Sequence, residues 1–217
     1  MFDTVGDVTT FQASLLDSGA DVGVRPLRGA VRRVPLTAGA WVDLRPRWLD
    51  GADTLFERLR TGVPWHAERR PMYDRVVDVP RLLHFVDEGA PLPDPALAEA
   101  KAALDAYYTD ELGEPFATAG LCLYRDGRDS VAWHGDRIGR GATHDTMVAI
   151  VVLGEARPLL FRPVGGGAGA TRRLELGHGD LVVMGGSCQR TWEHAVPKTT
   201  RAVGPRISVQ FRPRGVR

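Results

Sequence analysis

Apolar and polar residues alternate along the second half of the chain, from about residue 118 onward. Alternation is typical of strands with one buried face, because successive side chains in a strand point to opposite sides of the sheet. Turns rich in Gly and Asp separate the runs, and eight short strands of this kind indicate a double-sheet jelly roll, or double-stranded β-helix. The predicted strands are Gly120–Tyr124, Ser130–Asp136, Thr146–Leu153, Leu159–Arg162, Arg172–Leu176, Leu181–Met184, Thr191–His194 and Arg206–Arg212.

Two stretches of the first half repeat apolar residues at helical spacing instead. The shorter one covers residues 53–60, where Asp53 can cap the first turn. The longer one covers residues 93–112 and has Asp94 as its N-cap with Pro95 in the first turn. Its apolar stripe predicts a helix that packs on a core: Leu97, Ala100, Leu104 and Tyr108.

Length and composition fit one globular domain. The chain has 217 residues, of which 43% are hydrophobic and 25% are charged, and these are ordinary values for a folded protein. The sequence contains no internal repeat and no interior linker. We therefore expect a mainly β (α+β) domain over residues 1–217, with a helical and lid-like extension over 1–117 and a jelly-roll core over 118–213.

Segments that direct a protein to a membrane or out of the cell are not evident in the sequence. No run approaches the ~18–20 apolar residues of a membrane span, and the first residues lack the basic and apolar regions of a signal peptide. Cys122 and Cys188 have neither metal-type spacing nor the number needed for a disulfide framework. We expect a cytoplasmic protein that does not contact a membrane.

The net charge of +1 conceals an uneven distribution. Residues 157–217 contain 11 Arg and Lys residues against 3 acidic ones. A basic half can be the electrostatic footprint of an anionic partner such as nucleic acid. The alternative is that these arginines cover sheet faces, since Lys101 and Lys198 are the only lysines in the chain.

A candidate metal site begins with His134 and Asp136, which lie two residues apart in a predicted strand and therefore share one face. His194 can supply a third ligand from a distant strand. Two His and one carboxylate form the facial triad of non-haem Fe(II) oxygenases, which leaves three metal positions open. We call His134, Asp136 and His194 the metal triad. A competing pair, His178 and Asp180, falls in a predicted turn and is the weaker candidate.

The last strand carries a second group of candidate residues. Arg206, Ser208, Gln210 and Arg212 alternate with apolar residues and so share one face of the strand. If that face points inward, its arginines need anionic partners, because a buried unpaired charge is very costly. A dicarboxylate would satisfy them. A solvated strand face is the equally weighted alternative.

These motifs together resemble the AlkB family of Fe(II)- and 2-oxoglutarate-dependent oxygenases. The resemblance covers roughly residues 118–213. It is carried by His134-x-Asp136, the distal His194, the Arg206-x5-Arg212 strand, His178-Gly179-Asp180 before an apolar strand, and Tyr124 upstream of His134.

By this resemblance, the metal triad would bind Fe(II), which would take up 2-oxoglutarate and O2. Arg206, with Ser208 and Tyr124, would hold the distal carboxylate of 2-oxoglutarate, and Arg212 would lie near its keto-acid end. The implied reaction is oxidative demethylation of alkylated DNA or RNA bases. An N-methyl group is hydroxylated and lost as formaldehyde, while 2-oxoglutarate becomes succinate and CO2.

The chain departs from the family pattern at two places. Cys122 stands where the family has an Asn of an Asn-x-Tyr motif, so a contact with the cosubstrate is altered. Residues 137–140 read Arg-Ile-Gly-Arg, whereas a known family member has base-reading acidic residues after its His-x-Asp. Recognition of the substrate base is therefore expected to differ.

Residues 65–83 interleave aromatic residues and Met with Arg, which suits stacking of a base and contact with phosphate. A β-hairpin lying over a core explains the same composition equally well. A base inside a duplex is out of reach, so the substrate would be single-stranded or flipped. Trp65, Met72 or Tyr73 would then form a stacking wall, and Arg81 would contact phosphate.

Two other functions remain open at this stage. The same iron chemistry could hydroxylate a protein side chain or a small molecule, which a narrow apolar pocket would favour. The jelly roll could also be a catalytically silent binding module, which a solvent-facing Arg206 would favour. We expect the protein to be a monomer.

Overall fold

The computed structural model describes residues 21–72, 75–166 and 168–216, without the side chains of residues 70–72, 75–77 and 168. The helices in these ranges are α1 Ala52–Gly62, α2 Pro95–Leu112 and the short α3 Cys188–Thr191. The strands are β1 Gly23–Val24, β2 Arg32–Pro35, β3 Ala40–Arg45, β4 Leu49–Asp50, β5 His66–Met72, β6 Arg75–Val86, β7 Thr118–Tyr124, β8 Val131–His134, β9 Val148–Gly154, β10 Arg157–Pro163, β11 Arg172–Leu176, β12 Leu181–Gly186, β13 Trp192–Val196 and β14 Arg206–Arg212.

Two antiparallel sheets form the jelly roll, and the predicted mainly β fold is confirmed. The major sheet has eight strands in the order β2-β3-β12-β9-β14-β7-β6-β5, and the minor sheet has four in the order β11-β10-β13-β8. The eight strands predicted from alternation all form, four of them in each sheet. Strands that precede residue 118 widen the major sheet at both of its edges, so the lid-like extension shares its hydrogen bonds with the jelly roll.

Each face of the major sheet packs on its own apolar layer. Strand β9 shows this most clearly, because every residue from Val148 to Leu153 is at most 7% exposed. Val148, Ile150 and Val152 face the minor sheet, whereas the residues between them face the helices. A strand that is buried on both faces has a continuous apolar sequence.

Helices α1 and α2 cover the outer face of the major sheet. Helix α2 begins as predicted: the Asp94 carboxylate accepts a hydrogen bond of 2.9 Å from the Ala96 N–H. The predicted cap of α1 is wrong, because Gly51, with φ 63°, occupies the N-cap position. Asp53 lies in the first turn instead, and its carboxylate is 3.2 Å from His178 Nε2. Within the described residues, the helices lack a segment that combines the length and apolarity of a membrane span.

Strands β5 and β6 pair antiparallel, as in the β-hairpin that was one of the two interpretations of this stretch. Strand β6 continues into the major sheet, where it pairs with β7. The side chain of Met72 and all of Tyr73 lie outside the described residues, so their predicted stacking role stays a prediction.

Candidate metal and anion site

The metal triad comes together between the two sheets. His134 ends β8, and His194 lies directly opposite it on β13, with 4.2 Å between the two ring centroids. Asp136 follows β8, and its Oδ1 is 3.8 Å from His134 Nε2. One potential ligand atom from each of the three residues lies within 4.8 Å of the others. This spacing is compatible with one metal ion bound by all three.

Hydrogen bonds orient the two ligands of the His134-x-Asp136 motif. His134 Nδ1 is 2.9 Å from the Ala132 carbonyl oxygen, which leaves Nε2 to face Asp136. The Asp136 N–H donates to Gln189 Oε1 at 3.1 Å, so α3 holds the backbone of this ligand. The residue between the ligands has to be Gly135, because a Cβ there would lie 2.3 Å from the Gln189 carbonyl oxygen.

The carboxylate of Asp136 is divided between two neighbours. Its Oδ2 accepts a hydrogen bond of 2.7 Å from Arg212 Nε, and its Oδ1 faces the imidazoles. Burial opposes ionisation of Asp136, but the Arg212 charge, followed by the two imidazoles, lowers its pKa overall. Burial and then the His134 charge lower the pKa of His194 to about 3. At neutral pH the site therefore holds a carboxylate and a neutral imidazole, which are the metal-binding forms.

The polar face of β14 points inward, which decides between the two interpretations of this strand. Arg206 and Ser208 are each 2% exposed, and Gln210 is 9% exposed. Gln210 Nε2 donates to Ser208 Oγ at 2.6 Å. The Cys122 thiol lies 3.7 Å from Gln210 Oε1, so the residue that replaces the family's Asn bonds to a neighbour on β14.

Arg206 is buried without enough partners. Its Nε and Nη1 are shielded from solvent and find no acceptor in the described part of the chain. Its guanidinium carbon lies 5.1 Å from the centre of the Tyr124 ring, directly across the strand pair. Burial raises the pKa of the Tyr124 phenol, although the Arg206 and Arg81 charges act in the opposite direction. A buried guanidinium whose hydrogen-bond donors lack acceptors can bind an anion.

Two of the predicted substrate-binding residues lie in unexpected places. Trp65 packs on the helix side of the major sheet, and its indole N–H donates to the Arg60 carbonyl at 3.2 Å. The metal triad is on the other side of that sheet, so this placement does not favour a stacking role. Arg81 points into the jelly roll, where its Nη1 donates to the Ser130 carbonyl at 3.1 Å and its Nε is buried. An inward partner suits it better than a substrate phosphate.

The competing His178-Gly179-Asp180 motif is structural. His178 Nδ1 accepts a hydrogen bond of 2.7 Å from the Gly154 N–H, and Asp180 accepts bonds from the N–H groups of Gly177 and Arg47. The two side chains therefore hold turns together and are not part of the metal triad. Gln189 and Arg157 were not predicted from the sequence, because neither follows a pattern that links it to a distant site.

Positive charge in the last quarter of the chain is mostly internal or paired. Arg157, Arg206 and Arg212 lie inside the jelly roll. Arg162 pairs with Glu193, and the other ion pairs of this segment are Arg173–Glu175, Arg190–Asp145 and Arg214–Glu88. Most of the positive charge in the described part of this segment is therefore internal or paired, although Lys198 and Arg201 are exposed.

The loop that follows Asp136 exposes a large apolar side chain to solvent. Ile138 is 70% exposed. The backbone on either side of it is fixed, because the Arg137 N–H donates to Gly135 and the Arg140 N–H donates to Gly215. A Cβ at Gly139, where φ is +73°, would lie 2.2 Å from the Gly215 carbonyl oxygen. Ile138 is thus held outward next to the metal triad.

Comparison with known proteins agrees with this geometry. A sequence profile of the 2OG-Fe(II) oxygenase superfamily matches residues 59–212. The chain belongs to the 2OG-Fe(II) oxygenase superfamily. The match spans β7 to β14, both arginines of the polar strand and all three residues of the metal triad.

Relatives within this superfamily are AlkB-like, as the sequence motifs predicted. The chain is 30% identical over 200 residues to alpha-ketoglutarate-dependent dioxygenase alkB homolog 3 of Bos taurus, and 29% identical to that of Homo sapiens. Each alignment covers 84% of this chain and 66% of the relative, just under two thirds. DNA oxidative demethylase ALKBH2 of Arabidopsis thaliana is 34% identical over 135 residues, covering 52% of this chain and 42% of that protein.

Solved structures share the fold. The structure of OsALKBH1 superposes with a TM-score of 0.59 at 15% identity and covers 84% of this chain and all of that chain. A 2OG-Fe(II) oxygenase family oxidoreductase from Burkholderia pseudomallei gives a TM-score of 0.55 at 14% identity, covering 81% of this chain and 86% of that one.

Proposed function

We propose that this protein is an Fe(II)- and 2-oxoglutarate-dependent dioxygenase that oxidatively demethylates alkylated bases in DNA or RNA. The observation that carries the proposal is that the metal triad, on and beside the minor sheet, shares the interior of the jelly roll with Arg206 of the major sheet, and two donors of this buried guanidinium lack acceptors among the described residues. A metal-binding set and an anion-binding set in one interior are what a metal-chelating dicarboxylate requires.

The donors of the metal triad fit Fe(II). His134, Asp136 and His194 would hold the ion, because two imidazoles and one carboxylate on one face leave three positions for other ligands. When bound, the iron supplies the oxidising chemistry that hydroxylates a C–H bond with 2-oxoglutarate and O2 as co-reactants. The role of the chain is to place the reactants around it.

The chain prepares Asp136 for this task through Arg212. The bond from Arg212 Nε to Oδ2 fixes the carboxylate plane and keeps the acid ionised, so that Oδ1 is available on the side of the imidazoles. Arg212 Nη1 lies beside Gly120, where a Cβ would approach it to 3.0 Å. The same side chain thus connects a metal ligand with the interior space in which a keto acid would lie.

Arg206 would bind the distal carboxylate of 2-oxoglutarate, with Tyr124 and Ser208 beside it. Water is excluded there, since all three side chains are at most 3% exposed. An ion pair in such a dry interior is strong only if its hydrogen bonds are satisfied. Arg206 can satisfy the hydrogen bonds of a carboxylate, because its Nε and Nη1 have no acceptor among the described residues.

The substrate would enter from the His134 side. The His134 side chain is 39% exposed, whereas Asp136 is 6% exposed, so the metal triad opens to solvent in that direction. Ile138 stands on the same loop and offers an apolar contact to a base. The relatives named as DNA oxidative demethylases support an N-methyl base in a nucleic acid as the substrate. Such a base would have to be single-stranded or flipped.

Succinate formation by the Fe(II)-loaded protein with 2-oxoglutarate and O2 tests the proposal. Wild type would be compared with His134→Ala and Arg206→Ala, each with a methylated oligonucleotide, with its unmethylated twin and without DNA. We expect turnover that requires both residues and increases with the methylated strand only, together with release of formaldehyde.

Other outcomes would change the assignment. Succinate formation that does not depend on the oligonucleotides would support an oxygenase whose substrate is a protein or a small molecule. A protein that retains no iron and forms no succinate would refute the enzyme assignment, leaving a jelly-roll binding module.

A further inference from the structure

The buried Arg157 and the half-buried Arg81, and not Arg206 alone, lie around the phenol of Tyr124. Arg81 directly precedes Leu82, which pairs with Leu123, so the antiparallel register places Arg81 beside Tyr124 on the inner face of the sheet. Arg206 pairs with Tyr124 from the other neighbouring strand. Arg157 begins β10 and approaches from the minor sheet. Strands of both sheets therefore deliver a guanidinium to one place.

Charge effects link all three arginines to that phenol. Burial lowers the pKa of Arg206 and the pKa of Arg157, and in each case Tyr124 is the strongest of the groups that oppose this shift. Arg157 also repels Arg206, and Arg81 acts on Tyr124. The three guanidinium groups and the phenol thus share one interior region.

Arg81 and Arg157 are held by their terminal nitrogens and have a spare donor. Arg81 Nη1 donates to the Ser130 carbonyl, whereas the two terminal nitrogens of Arg157 donate to three backbone carbonyls, those of Asp126, Asp129 and Pro197. In both residues the Nε is buried and finds no acceptor within the described ranges. The backbone fixes these guanidinium groups and leaves Nε unused.

Among the residues that the structure describes, the acid nearest to this region in its effect already has a partner. Of the carboxylates, Asp129 acts most strongly on Arg157, but both of its oxygens are bound by Arg125, at 2.8 and 2.9 Å. With Nε and Nη1 of Arg206, the described residues offer four buried nitrogen donors without acceptors here. A carboxylate has two oxygens with about four acceptor sites. The supply of donors therefore matches one carboxylate.

We propose that Arg81 and Arg157 are cosubstrate-binding residues, which with Arg206 form a three-arginine cage around the distal carboxylate of 2-oxoglutarate. This inference rests on the proposed function, because it takes 2-oxoglutarate as the ligand. It assigns Arg81 to the cosubstrate and not to a nucleic-acid phosphate. Three arginines give this cage more positive charge than one arginine would, which favours a dicarboxylate over a monocarboxylate.

Calorimetric titration of the Mn(II)-loaded protein tests the cage without turnover. The two ligands are 2-oxoglutarate and 2-oxopentanoate, which has the same chain length but ends in a methyl group. A hydrogen bond to a charged group contributes about 1.5–3 kcal/mol, so Arg81→Met and Arg157→Met should each weaken 2-oxoglutarate binding roughly 10- to 100-fold. Binding of 2-oxopentanoate, weak in wild type, should stay within about twofold of that value.

Two further sets of variants guard against trivial effects. Arg157→Lys and Arg81→Lys keep a cation inside the jelly roll but lack Nε, so a properly folded protein with the same selective loss supports the cage. Arg173→Met, on the exposed outer face of the minor sheet, should change neither affinity.

Three results would overturn the inference. Equal losses for both ligands would mean that Arg81 and Arg157 act only on the fold. Unchanged affinity for 2-oxoglutarate would mean that the two residues do not touch it. A Mn(II)-loaded wild type that binds neither keto acid would refute the proposed function itself, and the cage with it.

Discussion

Arg206 and Arg212 are the first and last residues of β14 and point to the same inner face of the major sheet, but their surroundings differ. Arg212 donates from Nε to the Asp136 carboxylate at 2.7 Å and is paired within the protein. Arg206 is more deeply buried, yet its Nε and Nη1 find no acceptor among the described residues. Among the described residues, the arginine at one end of β14 therefore has its acid partner, whereas the arginine at the other end has donors without acceptors.

This difference separates two tasks of the interior. At the Arg212 end, a cation of the protein stabilises an anion of the protein, and the result is an ordered metal ligand. At the Arg206 end, cations from three strands lie around a phenol, and four of their nitrogen donors find no acceptor among the described residues. Such a region costs stability until a ligand binds. The contrast indicates which part of the site is built for a metal and which for a cosubstrate.

The largest expected effect is the loss of metal binding when a residue of the metal triad is removed. Loss of a residue that orients a metal ligand commonly costs 10- to 100-fold in metal affinity. Loss of a ligand should cost more, so His194→Ala should lower Mn(II) affinity by more than about 100-fold and abolish succinate formation. The measurements are metal titration by calorimetry and a succinate assay. His144→Ala is the matched control, because His144 is exposed and lies outside the metal triad. Equal metal binding by both variants would contradict the assignment.

Removing the partner of Asp136 is expected to destabilise the fold. Arg212→Met leaves a buried carboxylate unpaired, which costs about 3–5 kcal/mol in unfolding free energy, less where the acid becomes protonated. Chemical denaturation checks this value. The cost should shrink when Asp136→Asn is present as well, because the unpaired charge is then gone.

The control for that cycle is an arginine on the outer face of the same jelly roll. Arg173 pairs with Glu175, with side chains that are 57% and 35% exposed, and pairs of this kind contribute about 0–1 kcal/mol. Arg173→Met should therefore have little effect on stability. A loss as large as that of Arg212→Met would show that burial does not distinguish the two pairs.

Much of this site could be predicted from the sequence, for a physical reason. The two-residue period of strands places Arg206 and Arg212 on one face of β14, whatever the rest of the fold is. The same period predicted a shared face for His134 and Asp136, but β8 ends at His134, and Asp136 lies in the loop that follows. The jelly roll then brings this face and this loop together. Local periodicity thus predicted the eight strands of the core and the shared face of Arg206 and Arg212.

Contacts between distant elements could not be predicted in this way. Asp53 looked like a helix cap, but His178 lies beside it in space, and Gly51 takes the cap. Arg81 looked like a phosphate ligand because it follows aromatic residues in the sequence. Its direction depends on pairing with β7, which no local pattern reveals. Arg157 has no neighbouring motif at all.

A small change between the two ends of β14 sharpens the comparison. A Cβ at Gly120 would lie 3.0 Å from Arg212 Nη1 and 3.2 Å from Gln210 Oε1. Gly120→Ala should therefore displace Arg212 and cost about 1–3 kcal/mol, as overpacking does. Gly23→Ala, where a Cβ meets nothing within 4 Å, is the control in the same denaturation assay. Identical stability of the two variants would contradict the tight packing at Gly120.

The smallest expected effect is at the rim of the metal triad. Ile138→Ala removes an exposed apolar contact, so stability should stay within about 0.5 kcal/mol of wild type. The KM for a methylated oligonucleotide should rise a few-fold, while the affinity for 2-oxoglutarate stays the same. An unchanged KM would exclude Ile138 from contact with the substrate.

The most direct test of the contrast is the unfolding free energy of Arg206→Met without metal or cosubstrate. Replacing an unsatisfied buried charge by an apolar side chain of similar length should leave stability unchanged or raise it by up to about 4 kcal/mol. The same variant should lose the stabilisation that 2-oxoglutarate gives to Mn(II)-loaded wild type. A destabilisation as large as that of Arg212→Met would contradict the account, because Arg206 would then already have its partner within the protein.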